Sequence, residues 1–141
     1  MSKNLLLSCS GRRVELLRIW ERTFRELGMD SKVIASDAQP FAPAFALAER
    51  QVIVPRVLDE AFVPRMLEVC AANDVGWVIP TIDTELPVLA RARAQFESVG
   101  VHVMVSDIET IDIASDKRRT HEWFVGQGFP TFEQRAPEEA L

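Results

Sequence analysis

The 141-residue sequence predicts a three-layer α/β/α fold built on a parallel sheet of about five strands in the order 3-2-1-4-5. Three observations carry that reading. Short runs rich in β-branched residues alternate with segments whose apolar residues recur at helical spacing, a pattern that gives parallel strands joined by right-handed crossovers. The runs are apolar almost throughout, as in strands covered on both faces. A content of 48% hydrophobic and 26% charged residues supplies one core, and the net charge of −5 lacks the basic surplus of a nucleic-acid-binding domain.

In chain order, strands are expected at Asn4–Ser8, Lys32–Ser36, Gln51–Val54, Trp77–Ile79 and Val101–Val105. The first helix lies between the first two strands. Its stripe is Leu17, Trp20, Phe24 and Leu27, and Gly28 is placed to end it. The next crossover, "DAQPFAPAFALAER", has two prolines and reads as a loop with at most a short helix. A second helix is expected from about Asp59 to Asn73 with Pro64 in its first turn, and a third from Glu85 to Ser98. Ser106-Asp107-Ile108-Glu109 has the spacing of a capping box, predicting a short helix to about Ile113. Another helix starts at Ser115 or Asp116 and stops before Gly126 or Gly128, ahead of Pro130. The sheet is complete before these last elements. Residues 1–114 are therefore expected to form one domain, with 115–141 beginning another and ending in the polar "RAPEEAL".

Several function classes drop out. Cys9 and Cys70 belong to no C-x-x-C pair, so neither a zinc site nor a disulfide framework is expected, and a cytoplasmic location fits. No leader-type apolar region and no membrane-length apolar run occurs. His102 and His121 have no serine or cysteine arranged with them as a triad. H-E-x-x-H, G-x-x-x-x-G-K and G-x-S-x-G are all missing, so no complete catalytic constellation and no metal-ligand set is expected.

Parallel sheets bind ligands outside the carboxyl ends of their strands, near the switch in strand order. Gly11-Arg12-Arg13 follows the first strand and opens the first helix. Cations at the positive end of a helix dipole are unfavourable by about 0.3–1 kcal/mol each. A phosphate or carboxylate ligand would compensate them; so would pairing with Glu15 or a loop carboxylate, or simple hydration. One glycine is a weak dinucleotide fingerprint, which needs three. Asp37 ends the second strand, where it can bond a ribose hydroxyl or make an Asx-turn. Asp83 and Glu85 follow the fourth strand. They can bind a cationic or amino-bearing substrate, or serve the helix as N-cap (Asp83 or Thr84) and first-turn acid (Glu85). Lys117, Arg118 and Arg119 open the last helix, either as a solvated basic face or as a phosphate contact, with Asp116 offsetting part of their charge. Cys9, near the crevice, reads as a small packed thiol rather than a nucleophile.

Four segments, "LLLSCSGRRVELLR", "VIASDAQPFAPAFALAE", "VIPTIDTELPVLA" and "ASDKRRTHEWFVGQGFPT", together resemble the N-terminal part of ATP-grasp ligases. The branch they resemble is that of proteins similar to the carbamoyl phosphate synthase large subunit. The resemblance implies a Rossmann-like domain preceding the ATP-grasp module, with strand ends that help form the acceptor-substrate site. It also implies that Lys117 contacts ATP phosphate, with Arg118 and Arg119 in positions that are basic in some members. A parent of this kind uses ATP and Mg to activate a carboxylate as an acyl phosphate, then passes it to an amine or similar nucleophile. The family's phosphate loop and metal ligands lie downstream of the segment that holds Lys117, so this chain reads as a truncated piece or a split gene product, not catalytic alone. Its partners would be ATP and a small-molecule substrate, with neither nucleic acid nor membrane. Exposed Trp123, Phe124, Phe129 and Phe132 could also pair two copies as a homodimer. Two other readings stay open: a small NAD(P)-type dinucleotide-binding domain, and a non-catalytic α/β module that docks a partner.

Overall fold

A computed structural model describes residues 3–134, so the expectation for "RAPEEAL" lies outside the described residues. Five parallel strands form one sheet in the order β3-β2-β1-β4-β5: β1 Asn4–Leu7, β2 Val33–Asp37, β3 Arg50–Ile53, β4 Val75–Ile79 and β5 His102–Val103. The expected order is the observed one. Strand ends differ from expectation by a residue or two, most at β5, where two residues pair with Trp77 and Val78.

The period of two along β1 explains how one apolar run serves two layers. Leu5 and Leu7 point to one face, where they pack with Leu17, Phe24, Val33, Ala35, Ala44 and Phe45. Leu6 points to the other, among Ile34, Phe62, Met66, Val78, Leu89 and Phe96. The first face is covered by helix α1, Val14–Glu26, and by a short 3-10 turn, Pro43–Ala46, in the second crossover. The second is covered by α2, Phe62–Ala72, and α3, Leu86–Ser98. Pro64 falls in the first turn of α2, where its missing N–H costs no helical bond.

Three local expectations are corrected. Leu27 does not complete the α1 stripe: it is the C-cap and 67% exposed, because the chain is already leaving the helix toward Gly28, whose φ is +65°. The turn before α3 is a 3-10 helix, Asp83–Glu85, capped at Ile82 rather than at Asp83 or Thr84. Helix α4, Ile108–Ala114, has Asp107 as N-cap rather than Ser106, one residue later than the capping-box spacing suggests.

Backbone contacts divide the chain into two units, Met1–Val105 and Ser106–Leu141. The second comprises, among the described residues, α4 and α5, Lys117–Gly126. Arg119 Nη1 donates to Asp112 O at 3.2 Å and Thr120 Oγ1 to Ile113 O at 2.8 Å, tying α5 to α4. Asp116 caps α5, accepting from the amides of Arg118 at 2.8 Å and Arg119 at 3.4 Å. The Arg118 amide is the main cause that holds its carboxyl below the ordinary value.

Candidate ligand cleft at the strand ends

The loops that leave β1, β2, β3 and β4 at their carboxyl ends enclose a cleft of about 670 Å³. Its lining includes Gly11, Arg12, Arg13, Asp37, Arg56 and Ile82. The cleft spans the switch point of the sheet, where the chain order reverses between β1 and β4.

The loop after β1 is strained where it is most constrained. Cys9 has φ +48° and Gly11 φ +37°, both left-handed. An L side chain at Gly11 would be penalised by that conformation rather than by crowding, since an added Cβ would come no nearer than 3.5 Å to Asp37 Oδ2. The turn is held from several sides. Ser10 N donates to Ser36 O at 2.8 Å, Thr81 Oγ1 to Cys9 O at 2.7 Å and Ala44 N to Gly11 O at 3.0 Å.

Gly11 N donates to Asp37 Oδ2 at 2.7 Å, and Asp37 Oδ1 accepts from Gln39 N at 2.9 Å in an Asx-turn. The glycine and the acid on which a dinucleotide reading rests are therefore bonded to one another. The amide that would face a pyrophosphate is taken by a carboxylate.

Those arginines differ. Arg13 Nη2 donates to Thr81 O at 3.0 Å, bridging the loops after β1 and β4. Glu15 pairs with Arg18 at 2.7 Å and neutralises neither Arg12 nor Arg13. Arg12 is exposed, and among the described residues its guanidinium has no hydrogen-bond or ion-pair partner.

The three expected acids also separate. Asp37 lines the cleft, and Asp83 is exposed on the 3-10 turn outside that lining. Glu85 is wholly buried beneath it. Its Oε2 accepts from Ser8 Oγ at 2.6 Å, and its Oε1 from Thr81 N at 2.6 Å and Ile82 N at 3.2 Å. Burial pushes the Glu85 carboxyl up, and these hydrogen bonds oppose that shift without cancelling it. Burial, reinforced by the negative Glu85, pushes the neighbouring Cys9 thiol up to about 12, so it is protonated and no ready nucleophile.

Lys117 and Arg118 lie in the second unit, both exposed in the first turn of α5. Among the described residues no group of three or more His, Cys, Asp or Glu could hold a metal ion, and no helix is long and apolar enough to cross a membrane. Arg56 stands at Pro55-Arg56, one of the strand ends that the parallel-sheet rule marks for ligand contact, and nothing further in the sequence sets it apart from the others as a site residue.

Residues 5–104 match the family described as "PylC-like, N-terminal domain". Among solved structures, similar folds occur in N5-carboxyaminoimidazole ribonucleotide synthetase from Thermotoga maritima (TM-score 0.64, 17% identity, covering 98% of this chain and 35% of that one). They occur also in glycinamide-RNase-transformylase T from Mycobacterium tuberculosis (0.65, 19%, covering 93% and 37%). A third is L-amino acid ligase from Bacillus licheniformis (0.63, 22%, covering 96% and 35%). At these identities the likeness is one of fold, and this chain spans about a third of each of those proteins. A search of curated proteins gives no significant match.

Proposed function

Because the chain belongs to the PylC-like N-terminal domain family, whose members stand at the head of ATP-grasp enzymes, we propose that it forms the substrate- and nucleotide-site domain of an ATP-dependent carboxylate–amine ligase. The observation that carries this reading is the strand-end cleft. Its loop amide at Gly11 is spent on Asp37, which leaves Arg12 and Arg13 to supply the positive potential. Guanidinium forks match carboxylate and phosphate oxygens, and a cleft with apolar walls strengthens that attraction relative to open water. Gly11 serves this site by making the turn, and Asp37 offers an acceptor for a hydroxyl or amino group on the same ligand. Glu85 acts as a positioning residue, through Ser8 and the 81–82 backbone.

In the whole enzyme, the donor carboxylate oxygen attacks the γ-phosphorus of ATP and ADP leaves. The acceptor amine then attacks the acyl carbon, phosphate leaves, and the amine gives up a proton. The segments quoted above support a parent of the carbamoyl phosphate synthase-like branch. Lys117 and Arg118, exposed at the start of α5, would meet ATP phosphate oxygens. Magnesium would offset phosphate charge, but the described residues offer no cluster that fits it. Both cysteines are free, in keeping with a reducing cytoplasm. Stacked Trp123 and Phe129, with Phe124 edge-on to both, give a partly exposed aromatic group through which two copies would pair.

Thermal denaturation in the presence of phosphate, MgATP and NAD tests the reading. Stabilisation by phosphate and by MgATP is expected, with the phosphate effect lost in Arg12→Gln with Arg13→Gln. Stabilisation by NAD alone would return the domain to the dinucleotide class.

A further inference from the structure

The cleft contains one more cation than the anion reading requires. Arg56, in the loop after β3, lines it together with Arg12, in the loop after β1. Both side chains are exposed, and among the described residues neither guanidinium has a hydrogen-bond or ion-pair partner. In the order β3-β2-β1 the two loops stand two strand spacings apart, about 10 Å. Between them lies the loop after β2 with the Asp37 carboxylate, fixed by Gly11 N and Gln39 N.

We propose that the cleft binds an organic dianion, two carboxylates or a carboxylate and a phosphate on a short carbon segment, with Arg12 holding one anionic end and Arg56 the other. The proposal rests on the reading of the cleft as an anion site and adds a second pole to it. Three features argue for two poles rather than one. First, two unpaired guanidinium groups in one cleft repel each other, and a ligand with two separated charges relieves both. Second, the fixed Asp37 carboxylate repels an anion centred between them and so drives negative charge to the two ends. Third, the wall along this path is apolar and open. Leu58 is 85% exposed, and Pro55 and Val57 join it in a surface that a carbon segment would cover. Arg13 is not the second pole, because its guanidinium is engaged at Thr81 O.

The test is calorimetric titration of the full chain with succinate, glutarate, adipate and phosphoglycolate, set against butyrate and inorganic phosphate. At least one dianion of the series is expected to bind on the order of tenfold more tightly than butyrate, since it adds a second charge-assisted contact. Comparing phosphoglycolate with the dicarboxylates tells which anion the second pole prefers. Arg56→Gln should bring that dianion to the butyrate level while leaving phosphate binding in place. Arg12→Gln should weaken both, and Arg18→Gln, outside the cleft, neither. Equal affinity for dianions and butyrate, or unchanged dianion binding in Arg56→Gln, would overturn the second pole while the anion site stands. No binding of any anion would remove the anion site itself. Circular dichroism of each variant, all at exposed positions, confirms that a loss of binding is not a loss of fold.

Discussion

Ser8 Oγ donates to Glu85 Oε2 across 2.6 Å, joining residues 77 apart in sequence, and the carboxylate that accepts is wholly buried. Ser8 is itself buried, directly after β1, and Glu85 ends the 3-10 turn after β4. One side chain thereby fixes both loops that flank the switch point. With the Glu85 contacts to Thr81 N and Ile82 N, it also sets the loop whose carbonyl holds Arg13.

Truncating this clamp should be costly. Glu85→Ala strands a buried hydroxyl and two amides, each worth roughly 1–3 kcal/mol when unpaired. A loss on the order of 3 kcal/mol or more is expected in urea denaturation. Ser8→Ala removes one bond to a buried carboxyl and should cost about 1–3 kcal/mol. Losses below about 0.5 kcal/mol in both would show that the contact does not hold the loops.

The same residue sets a pH dependence. Burial raises the folded carboxyl above its ordinary 4.5. Between those two values the folded state binds more protons than the unfolded one, so the contribution of Glu85 to stability falls as pH rises through that window. Glu85→Gln keeps an acceptor for the amides and does not titrate. Urea melts from about pH 4 to about pH 8 should show wild type losing stability relative to this variant as pH rises. A gain relative to it would mean that the hydrogen bonds, not burial, dominate.

Asp37→Asn separates the two uses of that acid. An amide oxygen can still accept from one backbone N–H, and the fold should lose about 1 kcal/mol. Removing the negative charge should strengthen phosphate binding to the cleft, with the gain shrinking as salt screens it. Weaker phosphate binding would mean that the Gly11 turn, and not the arginines, makes the anion site.

Thiol reactivity tests the protonation of the crevice. The Cys9 and Cys70 thiols are both pushed up to about 12, mainly by burial. Folded protein should react with a disulfide reagent at pH 8 far more slowly than urea-unfolded protein, because only thiolates attack. Rapid reaction of Cys9 in the folded state would revive it as a nucleophile.

The layers were readable in the sequence because a buried parallel sheet leaves a strong mark. "NLLL", "VIASD" and "VGWVI" have apolar side chains on both faces, and that pattern with its crossovers leads to the observed order. The resemblance to the N-terminal domain of ATP-grasp ligases, carried by motifs at the loop turns, is borne out by the family match. Pairings across loops were not legible. That Asp37 would close on Gly11, Arg13 on Thr81 and Glu85 on Ser8 depends on how strand ends meet. A caps-and-turns reading sees only neighbours a few residues away. The N-cap at Ile82 is a local exception. Glu85 Oε1 takes the Ile82 amide, so a residue with no capping side chain can occupy the position.

Amide spectra of the 15N-labelled chain, titrated with inorganic phosphate, test the central claim most directly: that the strand-end arginines, and not the loop backbone, make an anion site. Shifts are expected to concentrate on the loop of Arg12–Arg13, to vanish in Arg12→Gln with Arg13→Gln, and to spare residues 24–33 at the amino ends of the strands. Shifts that persist in that double variant, or that centre elsewhere, would contradict it.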